Sequence, residues 1–385
     1  MDPYPDQITS KLPQTGTSVF AIMSQMAREH NAINLSQGFP DFPVSPELIK
    51  LINKYMRKGH NQYAPMPGLP ELREAIAEKT EFLYTAQYDP ETEITITAGA
   101  TQAIFTAITA LIREDDEVIV FEPAYDSYVP AIKLAGGIPV CIPLKLPDYH
   151  IDWNEVKRIV NSRTRMIIIN SPHNPTGSIL SAADMLQLEK LTRNTGIIIL
   201  SDEVYEHIIF DGRDHQSVCR YPALAQRSMV MCSFGKTFHA TGWKCGYCVA
   251  PANLMKEFRK THQFIVFCVN TPVQYAIAEY LQNKDNYTNL GGFYQEKRDY
   301  FVELIKGSRF KIIPASGTYF QVLDYSKISE EKEMEFATHL TQEFGVASVP
   351  NSYFYQKPVN NKTLRFCFAK SNETLEKAAE ILCRI

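Results

Sequence analysis

The segment SFGKTFHATGWKCGYC, residues 233–248, carries a Ser-x-x-Lys, a second lysine eight positions on and a Cys-x-x-Cys. Each pattern has its own chemistry. Ser233 could attack an acyl carbon with Lys236 as its base, or Lys236 could itself bond a carbonyl once its amine is neutral. Cys245 and Cys248 could cycle between thiol and disulfide, or hold zinc. Free lysine titrates near about 10.4, whereas burial beside cations can lower that by about 3 units. Lys236 lies just past the apolar run MVMCSFG, where a solvent-facing amine would be out of place.

Positioning these groups requires a scaffold, and the pattern of residues 92–250 describes one. Short apolar runs (TEITITAG, DEVIVFEP, IPVCIPL, RMIIINSP, GIIILSDEVY, SMVMCSFG and WKCGYCVA) alternate with helical stretches such as 102–112 and 182–194. Most runs are continuously apolar, as in strands buried on both faces of a mostly parallel sheet. Their alternation with helices predicts a doubly wound α/β fold. Ser181 is the expected cap of the 182–194 helix.

Polar motifs follow these runs again and again. TAGAT ends the first, EPAYDSY the second, NSPHNPTG the fourth, SDEVY the fifth and SFGKTF the sixth. Ligands of open α/β sheets bind beyond the carboxyl ends of the strands, so five loops at one edge predict a ligand site there. Gly99, Ala100 and Thr101 open a helix, where backbone N–H groups can meet an anion. Taken alone, they would be only a tight turn; no P-loop and no G-x-G-x-x-G is present. Asp202, after four aliphatics, is either a cap or ion-pair partner, or the counter-charge of a cationic ligand. Tyr205 could aim a phenol at the same ligand. Asn174 either starts a turn or donates an amide hydrogen bond.

After about residue 283 the pattern changes to a polar helix, then FKIIPASGTYFQVLD, a helix around 332–343, VASVPNSYF and TLRFCFAK. This predicts a smaller α+β domain. The first forty or so residues lack sheet-like runs and are expected to join it. The expected division is a large domain at 46–283 and a discontinuous small domain at 1–45 and 284–385.

A length of 385 residues with 45% hydrophobic and 21% charged residues suits a globular protein with a large core. The net charge of −4 provides no basic field, which argues against nucleic acid or an anionic membrane as partner. The N-terminal stretch has no secretory pattern and no apolar run reaches membrane-spanning length. Eight irregularly spaced cysteines suit reduced thiols, so the expected location is the cytoplasm.

Together, QGFPDF, NQYAPMPGLPELREAI, TAGATQAI, EPAYDSY, NSPHNPTG, SDEVYEH, SFGKTFHATGWKCGY and LRFCFAK resemble the class I aminotransferases. These are pyridoxal 5′-phosphate (PLP) enzymes of fold type I. The motifs run in order across most of the chain and are most similar to the methionine, kynurenine and glutamine branch. The resemblance implies a seven-stranded sheet and a homodimer. It makes Lys236 the catalytic lysine that carries PLP as a Schiff base, with Asp202 against the pyridine nitrogen. Asn174 and Tyr205 would bond the phenolic oxygen, and Tyr125 would stack on the ring. Gly99, Ala100, Thr101, Ser233 and Lys244 would hold the phosphate, with Tyr63 reaching the neighbouring subunit's phosphate. Many relatives have arginine where Lys244 stands. Gly38, Asn174 and Arg365 would take the substrate, Arg365 gripping its carboxylate bidentately.

The activity implied is ping-pong transfer of an amino group to a 2-oxo acid. Phe20, Tyr63, Tyr125, Tyr128 and Tyr319 are candidate pocket residues, aromatic and neutral, and no motif supplies a second arginine for a dicarboxylate. They favour methionine, phenylalanine, tyrosine, kynurenine or glutamine as donor. The alternative on this scaffold is β-elimination from cysteine conjugates.

Other readings have less behind them. A Ser-x-x-Lys hydrolase lacks its Ser-x-Asn and Lys-Thr-Gly companions, and a second Ser-x-x-Lys at Ser329 and Lys332, within a polar helical pattern, shows how common the pattern is. Cys245 and Cys248, three apart on a strand, should face opposite ways, and no spacing completes a metal site. Gly242 and Gly246 are expected to give the tight backbone around Lys244. A PLP-binding transcription factor would need a helix-turn-helix domain before the motifs, which begin by residue 35.

Overall fold

A computed structural model describes residues 8–385; the first seven residues of the expected small domain lie outside the described residues. The strands in chain order are β1 Ile33–Asn34, β2 Ile94–Thr97, β3 Glu117–Glu122, β4 Ile138–Pro143, β5 Thr164–Asn170, β6 Ile198–Asp202, β7 Ser228–Ser233 and β8 Gly246–Val249. They continue as β9 Lys311–Ile313, β10 Phe320–Asp324, β11 Val346–Ala347, β12 Val349–Pro350 and β13 Thr363–Cys367.

Seven of them form one sheet in the order β2-β8-β7-β6-β5-β3-β4. Only β8 runs antiparallel to its neighbours; the other pairings are parallel. All seven apolar runs of the sequence are strands here, and the expected fold class holds. Alternate residues feed opposite faces, as the period of a strand demands. On β5, Ile167 and Ile169 enter one core layer, while Met166 and Ile168 enter the other. Both faces are covered by helices such as Pro70–Tyr84 on one side and Ala100–Leu111 on the other. No described helix is long and apolar enough to cross a membrane.

The helix Ala182–Thr192 starts at Ser181, whose hydroxyl accepts from the Asp184 N–H while Asp184 accepts from the Ser181 N–H. This reciprocal box satisfies two end donors that otherwise have no partner.

A separate core joins Val19, Met23 and Leu35 to Phe301, Phe320, Phe366 and Leu375. Here β12-β13-β10-β9 form a second, antiparallel sheet. One departure from expectation is β1, which pairs in parallel with β11 over two residues, too short a stretch to leave a pattern in the sequence. Another is Ser329 and Lys332, which lie in the loop before the helix Glu333–His339.

Two glycines also separate here. A Cβ on Gly242 would meet nothing within 4 Å among the described residues, so their packing does not require that glycine. On Gly246 it would lie 2.5 Å from the Cys232 carbonyl oxygen and 3.1 Å from the Ala100 nitrogen. Neither backbone atom can yield without moving β7 or the start of the Ala100–Leu111 helix. Gly246→Ala should therefore lower the unfolding free energy by about 1–3 kcal/mol in a urea melt. An unchanged midpoint would show that the contact is slack.

Candidate active site

The sheet brings the motif loops to one edge. Strands β2, β3, β5, β6 and β7 deliver Gly99, Tyr125, Asn174, Asp202 and Lys236 from their carboxyl ends. Because β8 is antiparallel, the residues before it reach the same edge, and Lys244 arrives there. A cavity of about 170 Å³ opens at this edge. Its walls include Gly99, Ala100, Thr101, Tyr125, Asn174, Asp202, Tyr205, Ser233, Lys236 and Lys244. A larger cavity, about 760 Å³, shares only Asn170 with it and holds neither lysine. The chemistry, not the volume, distinguishes the smaller one.

Three expected site residues stand outside those walls. Gly38 and Arg365 touch residues within it: the Gly38 carbonyl accepts from Lys236 Nζ at 3.1 Å, and Arg365 Nη1 donates to Asn174 Oδ1 at 2.8 Å. Tyr63 does neither and is 83% exposed in the single chain.

Lys236 Nζ also donates to the Tyr319 hydroxyl at 3.0 Å, and that hydroxyl donates to the Gly38 carbonyl at 2.6 Å. Burial pulls the Lys236 amine down to about 8, helped by the charges of Arg365 and Lys244. Asp202 is buried at the end of β6, and burial pushes its carboxyl up to about 6. Its Oδ2 accepts from the Tyr128 hydroxyl at 2.5 Å and its Oδ1 from the Val204 N–H at 3.3 Å. Tyr205 is buried and meets Tyr319 edge-on at 5.1 Å, and burial raises its phenol well above the usual range. The Tyr125 and Thr101 hydroxyls lie 3.2 Å apart.

A space with donor groups suited to an anion adjoins these groups. Gly99 has φ +79°, and a Cβ there would stand 3.3 Å from Lys244 Nζ. The bare backbone, the start of the Ala100–Leu111 helix and the Lys244 charge thus share one small space. Arg365, only 1% exposed, also donates from Nη2 to the Ser36 carbonyl at 3.0 Å. Phe320, Phe20 and Phe354 surround its guanidinium at 4.0, 5.2 and 5.4 Å from their ring centres. Burial lowers the guanidinium to about 10, which leaves it charged at neutral pH.

Residues 30–382 match the family described as aminotransferase class I and II. The chain belongs to that family. Methionine aminotransferase of Escherichia coli is 50% identical over 374 residues, covering 97% of each chain. A kynurenine–oxoglutarate transaminase of Dictyostelium discoideum is 32% identical, covering 96% of this chain and 94% of its own. A crystal structure from Escherichia coli, reported with a methionine aminotransferase function, superposes with a TM-score of 0.97 at 49% identity, covering 98% and 99% of the two chains. The aminotransferase is therefore a PLP-dependent enzyme.

The residues present fit that cofactor. An amine near neutrality, a buried carboxylate and a cradle that a Cβ at Gly99 would fill all border one cavity. Ser233 makes no hydrogen bond to Lys236 among the described residues, so no serine–lysine dyad forms. Cys245 and Cys248 enter opposite core layers of the aminotransferase. Tyr128, expected as a pocket aromatic, is instead 2% exposed with its hydroxyl on Asp202. Tyr319 is fully buried, yet its hydroxyl accepts from Lys236 Nζ. Nothing in EPAYDSY or SGTYF marks either contact, because each depends on a partner more than seventy residues away.

Proposed function

We propose that this aminotransferase moves the amino group of a neutral or aromatic L-amino acid, with methionine as the first candidate, to a 2-oxo acid. The observation that carries the reading is the Lys236 amine in one cavity with the Asp202 carboxylate and with Asn174, the residue that Arg365 grips. Lys236 is the catalytic lysine and Asp202 the partner of the ring nitrogen. Asn174 and Tyr205 would bond the cofactor's phenolic oxygen, and Tyr125 would lie against its ring. Gly99, Ala100, Thr101, Ser233 and Lys244 hold the phosphate.

Bound there, PLP supplies an electron sink for negative charge at substrate Cα. The chain supplies the rest. Arg365 and Asn174 hold the substrate carboxylate beside the Gly38 backbone. Lys236 Nζ removes the proton from Cα. Asp202 keeps the ring nitrogen protonated, and the aromatic walls exclude water.

The substrate class rests on the walls and on the relatives. Lys236 and Lys244 are the only lysines or arginines lining the cavity among the described residues, and both already have roles. Asp126 is half-buried next to Tyr125; burial raises its carboxyl and the Arg365 charge pulls it back down, so this carboxylate next to the wall gives an acidic side chain no cationic partner. The methionine aminotransferase and the kynurenine–oxoglutarate transaminase support the same class.

A donor panel on purified enzyme tests the reading. Methionine or an aromatic donor should exceed aspartate in kcat/KM by at least about tenfold. Aspartate as the best donor would overturn it. Product formed without any 2-oxo acid acceptor would indicate elimination instead of transfer.

A cytoplasmic homodimer completes the proposal, with the expected division at 46–283 against 1–45 and 284–385. Tyr63 packs edge-on against Phe267 at 5.5 Å, and Phe264, three positions before Phe267 in the chain, is 85% exposed. An apolar surface of this kind suits a second copy, which would bring Tyr63 towards the neighbour's phosphate site.

A further inference from the structure

Asp202 is a buried carboxylate, 3% exposed, at the end of a mostly apolar strand, and its register partners are Asn170, whose amide donates to the Asp202 backbone carbonyl, and Met231. A carboxylate in such a place tends to take up a proton and become neutral. No lysine or arginine lies within ion-pair distance of it among the described residues. Two donors reach it. The Val204 N–H approaches Oδ1 at 3.3 Å, a long contact, and the Tyr128 hydroxyl approaches Oδ2 at 2.5 Å.

Tyr128 is built for that single contact. It opens the helix Tyr128–Leu134, is 2% exposed, and packs in the core layer with Met166, Ile168 and Leu200. Its ring meets Tyr125 edge-on at 5.6 Å. Burial and the Asp202 charge hold its phenol far above the usual range, so the hydroxyl keeps its proton at any working pH. Of the groups facing Asp202, Lys236 attracts its charge, Glu203 repels it, and Tyr128 is the strongest influence opposing the burial.

We infer that Tyr128 is a positioning residue: its hydroxyl holds one oxygen of Asp202, keeping that carboxylate ionised and fixed in orientation for the ring nitrogen of PLP. The inference rests on the reading of Asp202 given above. It assigns Tyr128 to the cofactor's charge balance and removes it from the substrate pocket.

The test is equilibrium binding to the full-length apoenzyme of two ligands, PLP and its carbocyclic analogue with CH in place of the ring nitrogen. Wild type should prefer PLP. Tyr128→Phe should lose about 10- to 100-fold in PLP affinity, the range for a hydrogen bond to a charged group, and change little for the analogue. The pH below which PLP affinity declines should also rise by about one unit, because Asp202 protonates more readily without its donor. Tyr128→His, which keeps a donor, should recover part of the preference for PLP.

Equal losses for both ligands would overturn the inference and leave Tyr128 as core packing. A folded Tyr128→His protein with no preference would overturn it as well. A wild type that does not distinguish the ligands would instead refute the reading of Asp202, and the inference with it.

Discussion

Lys236→Ala should lower transamination by about 10⁴-fold or more and remove the lysine Schiff-base absorbance of the loaded enzyme, with the fold intact. On the proposed assignment, the substitution removes the amine that would bond the cofactor and move the Cα proton. Its neighbours, Tyr319 and Gly38, keep their own hydrogen bond. Lys236→Arg should be equally inactive while retaining the charge, since a guanidinium stays protonated. That pair of variants separates the need for a positive charge from the need for a neutral amine. The wild type adds a pH signature. With its amine at about 8, the neutral fraction of Lys236 falls tenfold for each pH unit below that value. The rate of cofactor loading should therefore rise with pH up to about 8 and level off above it. Turnover retained in Lys236→Ala, or loading that slows as pH rises from 6 to 8, would contradict the assignment.

Arg365→Lys should reduce kcat/KM for methionine by about 10- to 100-fold, mainly through KM. A lysine keeps the charge but not the planar fork that, on the proposed assignment, would take both carboxylate oxygens. At least one charge-assisted hydrogen bond would be lost. The surroundings make the position unforgiving: three phenylalanine rings surround the guanidinium, and its Nε has no partner among the described residues. The control is the decarboxylated amine of the same donor. Its reactivity should change little, so the ratio between the two substrates should collapse. A ratio unchanged within about threefold would assign Arg365 to structure, as the clamp between Asn174 and Ser36.

Strands β2 to β8 were legible because each is a short apolar run bounded by polar loops, and burial on both faces requires that composition. The 182–192 helix was legible from its Ser181 cap, a local device read within three residues. Strand β1 was not legible, since two residues carry no period and its pairing with β11 spans some three hundred positions. Gly242 and Gly246 look alike in the sequence, yet only Gly246 is pressed against backbone.

The site divides along the same line. Residue types after the strand ends, Asp202, Lys236, Asn174 and Gly99 among them, were readable because their chemistry lies in the side chains and their edge location in the strand order. What those side chains touch was not. Tyr128 on Asp202, Tyr319 on Lys236 and Arg365 on Asn174 join residues 74, 83 and 191 positions apart. Local sequence determines strands, caps and the chemical inventory of a loop, because these depend on near neighbours. Which donor meets which acceptor depends on how distant elements pack, and only the folded chain decides it.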